Sequence, residues 1–281
     1  MGVLRHQSGV TTGFSERGRL KHGALTVLAA AGGSLLLLFL AAPVAELILT
    51  SGAGGLARLT RDAELRQALA LTVATATTAT LIGVICGTPV AYLLSRRAFR
   101  GRAILSAILD LPLLIPHPVA GIALLLVFGR QSAVGGTLLE LGLRVVGSPV
   151  GIVCAMLFVS APLYISGARE AFSRVDPRYE AVARTLGDDA WRSFRRVTLP
   201  LSRRGMVAAS VVMWARAVSE FGAIVILAYN PKVVSVLSVD RLTTFGLDEA
   251  LPVAGVMAVL ALIPLTVLRA LRHDRTVTAT P

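Results

Sequence analysis

Apolar positions in this chain gather into long unbroken runs, not into the one-sided stripe of a soluble amphipathic helix. The first run covers residues 24–49, and others follow at about 69–95, 103–128, 148–166, 205–229 and 251–271. A helix rises about 1.5 Å per residue, so roughly 20 residues cross a ~30 Å hydrocarbon core. Each run meets that length. A membrane barrel would instead need alternating segments of about ten residues, which are absent. The pattern predicts an all-α membrane protein with six transmembrane helices. The first run is far longer than the roughly 7–15 apolar residues of a secretory signal and is read as a retained span. Residues 1–22 are expected as a poorly ordered cytoplasmic tail, 23–271 as the membrane domain and 272–281 as a second cytoplasmic tail.

Charge fixes the direction. Lys and Arg number 28 against 16 Asp and Glu, a net charge of +12. Twenty of the 28 lie in the connections 96–102 and 167–204 and at the two ends of the chain, counting Arg269 at the close of the last run. Only seven lie in the opposite connections, 51–68, 129–147 and 230–250, and Arg216 lies within a span. The positive-inside rule then places both termini in the cytoplasm. It also accounts for the basic balance without nucleic acid, for which interleaved stacking aromatics would be needed. A hydrophobic share of 54% excludes a disordered chain. Two cysteines exclude a disulfide scaffold; Cys86 and Cys154 fall in apolar runs and read as small buried hydrophobes. No GxxxxGK[ST] phosphate loop occurs, so any energy source must be another chain or an ion gradient.

The connection 167–204 has more structure than a loop. Asp176-Pro177 interrupts a continuation of the fourth span, because the residue before a proline is biased away from helix. A second helix can run from Arg178 to Leu186, and Gly187 is a natural stop. Asp188 or Asp189 can cap a short helix over residues 190–196, and Val197-Thr198-Leu199-Pro200 leads out toward the fifth span. Residues 176–200 thus read as an elbow on the cytoplasmic face, displaying Leu186, Trp191 and Phe194 among arginines. The aromatics either dock into a partner's groove or rest on lipid headgroups. Residue chemistry alone leaves both open.

Ionisable groups inside a bilayer are costly, so they pair or face a cavity. Arg216 and Glu220 are four apart and share a helix face. They either line a pathway or hold helices together. Pro112, Pro116 and Pro118 remove backbone donors from the third span, and a helix broken at membrane depth often lines a pathway. His117 lies between two of these prolines, as a pathway group or a satisfied polar one. An ion-coupled transporter would need coupled carboxylates near the midplane, for which Asp110 and Glu220 are candidates. No nucleophile–base pair or metal-ligand spacing points to an enzyme.

Glu180-Ala181, Gly187, Val197, Leu199 and Pro200 resemble the EAA motif of the membrane subunits of binding-protein-dependent ABC importers. Gly187 to Pro200 keeps the motif's spacing. Glu180 stands one position early, so Ala181 takes the glutamate's place in an alignment on the glycine. Residues 113–124 resemble the third span of molybdate/tungstate permeases, and 214–223 the fifth span of the wider oxyanion group. Residues 228–231 and 241–247 are similar to the archaeal-type tungstate/molybdate branch, and the resemblance covers about 69–271.

This resemblance implies a type I ABC importer permease fold with a coupling helix between spans four and five. It implies ATPase-coupling roles for Glu180, Ala181, Leu186, Gly187, Asp188, Trp191, Phe194 and Pro200. The pathway candidates are Pro116, His117, Arg216 and Glu220, with Arg216 offering a cationic surface to a dianion. The implied partners are a second copy of the chain, two ATP-binding cassette subunits holding ATP and magnesium, and an extracytoplasmic substrate-binding protein. The chain itself is expected to hold no cofactor or metal and to hydrolyse nothing. The implied function is ATP-driven uptake of tungstate or molybdate across the cell membrane. Sulfate or thiosulfate uptake is the neighbouring alternative, and ion-coupled transport a more distant one.

Overall fold

The computed structural model describes residues 13–59 and 61–273, with side chains described at 28–51, 57–58 and 61–271. The expected tail residues 1–12 and 274–281 lie outside them. Residues 13–22, expected in an irregular tail, are helical. Every regular element among the described residues is a helix, and none is a strand.

Two units are distinguished, residues 1–50 and 51–281. Helix α1 (Gly13–Leu59) makes up the described part of the first and runs on into the second; its stretch Leu28–Ser51 is long and apolar enough to span a membrane. The second unit is built on α2 (Ala63–Arg96), α6 (Pro149–Ser173) and α9 (Leu199–Val218). Asp62 caps α2 by accepting a hydrogen bond from the Leu65 N–H at 3.0 Å. One face of α2 carries buried small residues, Ala68, Thr72, Ala76, Ala79, Gly83 and Gly87. Lipid offers no hydrophobic drive between helices, so small side chains that admit a close backbone approach hold such a bundle. The antiparallel pair α6 and α9 uses the same device twice. A Cβ on Gly167 would stand 2.7 Å from the Ala209 Cβ, and one on Gly205 would stand 2.5 Å from the Ala171 Cβ.

Six transmembrane helices were expected; four helices meet the length and apolarity of a span on their own. They are Leu28–Ser51 of α1, α2, α6 and Leu247–Leu271 of α12 (Leu247–His273). The third run is two helices, α3 (Arg102–Leu114) and α4 (His117–Phe128), bent by 116°. Ile115 before Pro116 is extended, as the proline's ring demands, and Pro116 then caps α4. Counted as one, the pair makes a fifth span. The fifth run is also broken: α9 ends at Ser219, and α10 (Gly222–Leu227) starts afresh after Phe221. Two short helices lie between the long ones, α5 (Ala133–Glu140) and α11 (Val234–Phe245). Cys86 is exposed on α2, a correction to its reading as buried; Cys154 is half-buried.

At the start of α2 an ion cluster fastens α11. Arg241 reaches Asp62 at 2.6 Å and Glu64 at 3.0 Å, and Lys232 reaches Asp240 at 2.6 Å. The hydrogen bond from Arg241 holds the Asp62 carboxyl below the usual carboxylate range.

Candidate functional site

Two groups of predicted residues come together, at opposite ends of α9. The first is the elbow. α7 (Pro177–Thr185) starts at Asp176, which accepts a hydrogen bond from the Arg178 N–H at 2.9 Å. It stops at Gly187, whose φ of +96° is the left-handed conformation that ends many helices. The Asp188 N–H closes the corner on the Ala183 carbonyl at 3.1 Å. Asp189 then caps α8 (Ala190–Ser193), accepting from the Arg192 N–H at 2.7 Å. Pro200 leads into the fifth run, but without a break in the helix. The chain stays helical from α8 through a π turn (Phe194–Thr198) into α9, with Pro200 in the first turn of α9. Pro200 cannot donate to the turn before it, and in that turn the Leu199 N–H bonds one residue further back, to the Phe194 carbonyl.

The elbow is clamped to the membrane helices from within. Glu180 is buried and accepts hydrogen bonds from Arg96 Nε at 2.9 Å, the Tyr92 hydroxyl at 3.0 Å and the Thr198 hydroxyl at 2.5 Å. Arg96 also donates to the Val175 carbonyl at 2.9 Å. Burial pushes the Glu180 carboxyl up, but the bonds from Thr198 and Tyr92 and the Arg96 charge outweigh it and hold the group below the usual value. Phe194 is half-buried, with its ring 4.8 Å from Tyr92 and 6.0 Å from Phe172. Phe194 was expected on the displayed surface, and Glu180 was expected only to take part in coupling. Both face inward, and act on the elbow by holding it.

What the elbow does present is Leu186, 83% exposed, and Trp191, 66% exposed. Exposed Tyr179 and Val182 join Leu186 at helical spacing on one face of α7. Sequence reasoning missed those two, although their spacing from Leu186 was the available signal. Ala181 is exposed on the same helix, and Asp188 pairs with Arg196 at 2.9 Å.

The second group lies where both broken helices meet. Arg216, near the end of α9, places Nη2 at 2.8 Å from Glu220 Oε2 and 2.7 Å from His117 Nε2. Glu220 is only 1% exposed, and its Oε1 accepts from the Ala223 N–H at 2.8 Å, capping α10. The Ser235 hydroxyl donates to the Glu220 carbonyl at 2.7 Å, which ties in α11. Gly222 permits the approach of α4, since a Cβ there would stand 2.7 Å from the His117 Cβ. Pro116 sets the direction of α4 and so the place of His117. An arginine donating to the ring nitrogen requires that nitrogen to be unprotonated. The arrangement is one cation held between a carboxylate and an imidazole, with half-buried His117 and Arg216 leaving its outer side open.

A helical membrane bundle with a clamped elbow at one end and a charged junction of broken helices at the other is the architecture of a membrane transport subunit. The chain belongs to the family of binding-protein-dependent transport system inner membrane components, whose sequence profile matches residues 79–274. It is the permease subunit of an ABC importer and a multi-pass membrane protein. Among its relatives is the molybdate/tungstate transport system permease protein WtpB of Thermococcus kodakarensis, 38% identical over 244 residues, which are 86% of this chain and 94% of that one. The probable molybdenum ABC transporter permease protein of Haloferax volcanii is 38% identical over 268 residues, 95% of each chain. The fold is shared with a chain of the bacterial alginate ABC transporter solved in complex with an alginate pentasaccharide-bound periplasmic protein, at a TM-score of 0.70 and 18% identity over 94% of this chain and 98% of that one.

Proposed function

We propose that this permease forms, as a homodimer, the membrane pathway of an importer for the tetrahedral dianions molybdate and tungstate. The names of its relatives support the substrate. In this reading α9 and α10 together make a broken sixth crossing, and both termini and the elbow face the cytoplasm, as the distribution of Lys and Arg favours. Two ATPase subunits, which bind ATP and magnesium, dock on the elbow, and an extracytoplasmic binding protein delivers the oxyanion. The observation that carries the reading is the elbow itself: an apolar face centred on Leu186 and Trp191, presented outward and clamped inward through Glu180 to α2 and to the π turn that leads into α9. Such a face matches a groove on a partner, and the clamp turns movement of the partner into movement of the bundle.

At the other end of α9, Arg216 supplies the charge that a dianion needs on leaving water. Glu220 offsets that charge, so the ion meets a donor without a deep well and can move on. ATP binding and hydrolysis drive alternation between outward and inward states by binding the two differently.

The test is ATP-dependent uptake in proteoliposomes holding the permease, its ATPase and its binding protein, with molybdate, tungstate and sulfate in mutual competition. Uptake of molybdate and tungstate, poorly competed by sulfate, is expected. Preferential sulfate uptake would move the substrate to the neighbouring class. Uptake in vesicles without the ATPase would overturn the ABC mechanism in favour of ion coupling.

A further inference from the structure

A cavity of about 1010 Å³ opens between α2, α7, α8 and the start of α9, away from the Arg216 junction. Its lining changes character along α2. Val84, Ile85 and Pro89 supply an apolar wall, and Met206 of α9 continues it; Arg96 and Arg97 stand at the far end, joined by Arg184 of α7. From residue 84 to residue 97 is roughly 20 Å along a helix axis, from hydrocarbon depth to the membrane surface. The charged end holds three guanidiniums against one carboxylate, Glu180, which is already bonded to Arg96, Tyr92 and Thr198. Arg97 makes no ion pair with any described residue. The Arg96 side chain is 9% exposed, and its Nη2 is buried without a hydrogen-bond partner among the described residues. Arg97 and Arg184, by contrast, are exposed at the cavity's charged end, where cations in excess of the carboxylate attract an acidic group.

We propose that this cavity is a binding site for an anionic phospholipid, whose phosphate takes the Arg96–Arg97–Arg184 end while one acyl chain lies along Ile85, Pro89 and Met206. The apolar-to-cationic order matches an amphiphile standing upright in a leaflet, and basic pockets between transmembrane helices take acidic headgroups. A small free anion would use the charged end and leave the apolar wall empty. The bound lipid would touch α2 and the elbow together and so stiffen the hinge between them. Which leaflet it comes from follows from the orientation proposed above; the site itself does not depend on that reading.

The test is native mass spectrometry of the full chain, delipidated in detergent and titrated with phosphatidylglycerol or phosphatidylcholine of the same acyl chains. Wild type is expected to retain phosphatidylglycerol at least tenfold more strongly, and R97Q/R184Q to lose roughly tenfold or more of that preference, at about one kcal/mol per arginine. R97Q alone, at an exposed residue, is expected to lose part of it and guards against misfolding of the double variant. Equal retention of the two lipids by wild type, or an unchanged preference in both variants, would overturn the proposal. So would displacement of the lipid by inorganic phosphate at matched concentration, which would assign the site to a free anion.

Discussion

Glu180 is the residue on which the elbow depends. Removing one partner of a buried ion pair leaves an uncompensated charge, so Glu180→Ala is expected to destabilise the protein by about 3–5 kcal/mol, read as a lower melting temperature in detergent. The same clamp makes stability acid-sensitive in a definite direction. The folded protein holds the Glu180 carboxyl below its ordinary value of 4.5. The stabilisation is therefore complete above that value and is lost as pH falls through the depressed folded value. Melting temperatures of wild type and Glu180→Gln are expected to converge on acidification below pH 4.5; parallel curves would deny the clamp any role. The outward half of the elbow was legible in the sequence, because Leu186 and Trp191 are apolar residues on a polar segment. The inward half was not. The partners of Glu180, Tyr92 and Arg96, lie 88 and 84 residues upstream, and Arg96 read simply as one of the basic residues flanking a span.

Elements differ in how openly they declare their breaks. The bend between α3 and α4 is written in Pro116 and Pro118, and the sequence reading placed a broken helix there. The break between α9 and α10 carries no proline. Ser219-Glu220-Phe221 leaves the helix because Glu220 caps the Ala223 N–H and because Ser235, 15 residues on, takes the Glu220 carbonyl. The first bond is local, but without a proline to mark it only the second, tertiary one betrays the break, so the hydrophobic run reads as one span. Two predictions belong at this scale. Gly187→Val places a β-branched residue at φ +96°, a strain of about 1–3 kcal/mol. A Cβ there meets nothing within 4 Å, so the whole effect comes from the backbone, and Gly187→Asn is expected to recover much of the melting temperature and uptake. Between α6 and α9, Gly167→Ala is expected to lower the melting temperature through the Ala209 contact. Adding Ala209→Gly should restore part of it; no rescue would mean that the close approach is not what holds the pair.

For the whole molecule, orientation and assembly are separable by measurement. With Cys86 and Cys154 replaced by Ala, a cysteine at Leu186 is expected to react with a membrane-impermeant maleimide only in inside-out vesicles, and one at Glu140 only in right-side-out cells. The reverse pattern would invert the topology. Trp191→Ala is expected to weaken ATPase association by about 2 kcal/mol, as removal of an interface anchor does, in pull-down from membranes with the permease level unchanged. The unbroken helical path from Ala190 through the π turn to Val218 has a mechanical meaning. It is a single lever of roughly 40 Å, with the presented tryptophan at one end and the arginine junction at the other. A tilt of about 5° at the first would displace the second by roughly 3.5 Å, somewhat more than the length of one hydrogen bond. A rotation too small to repack the bundle would thus be enough to open or close the contact of Arg216 with His117.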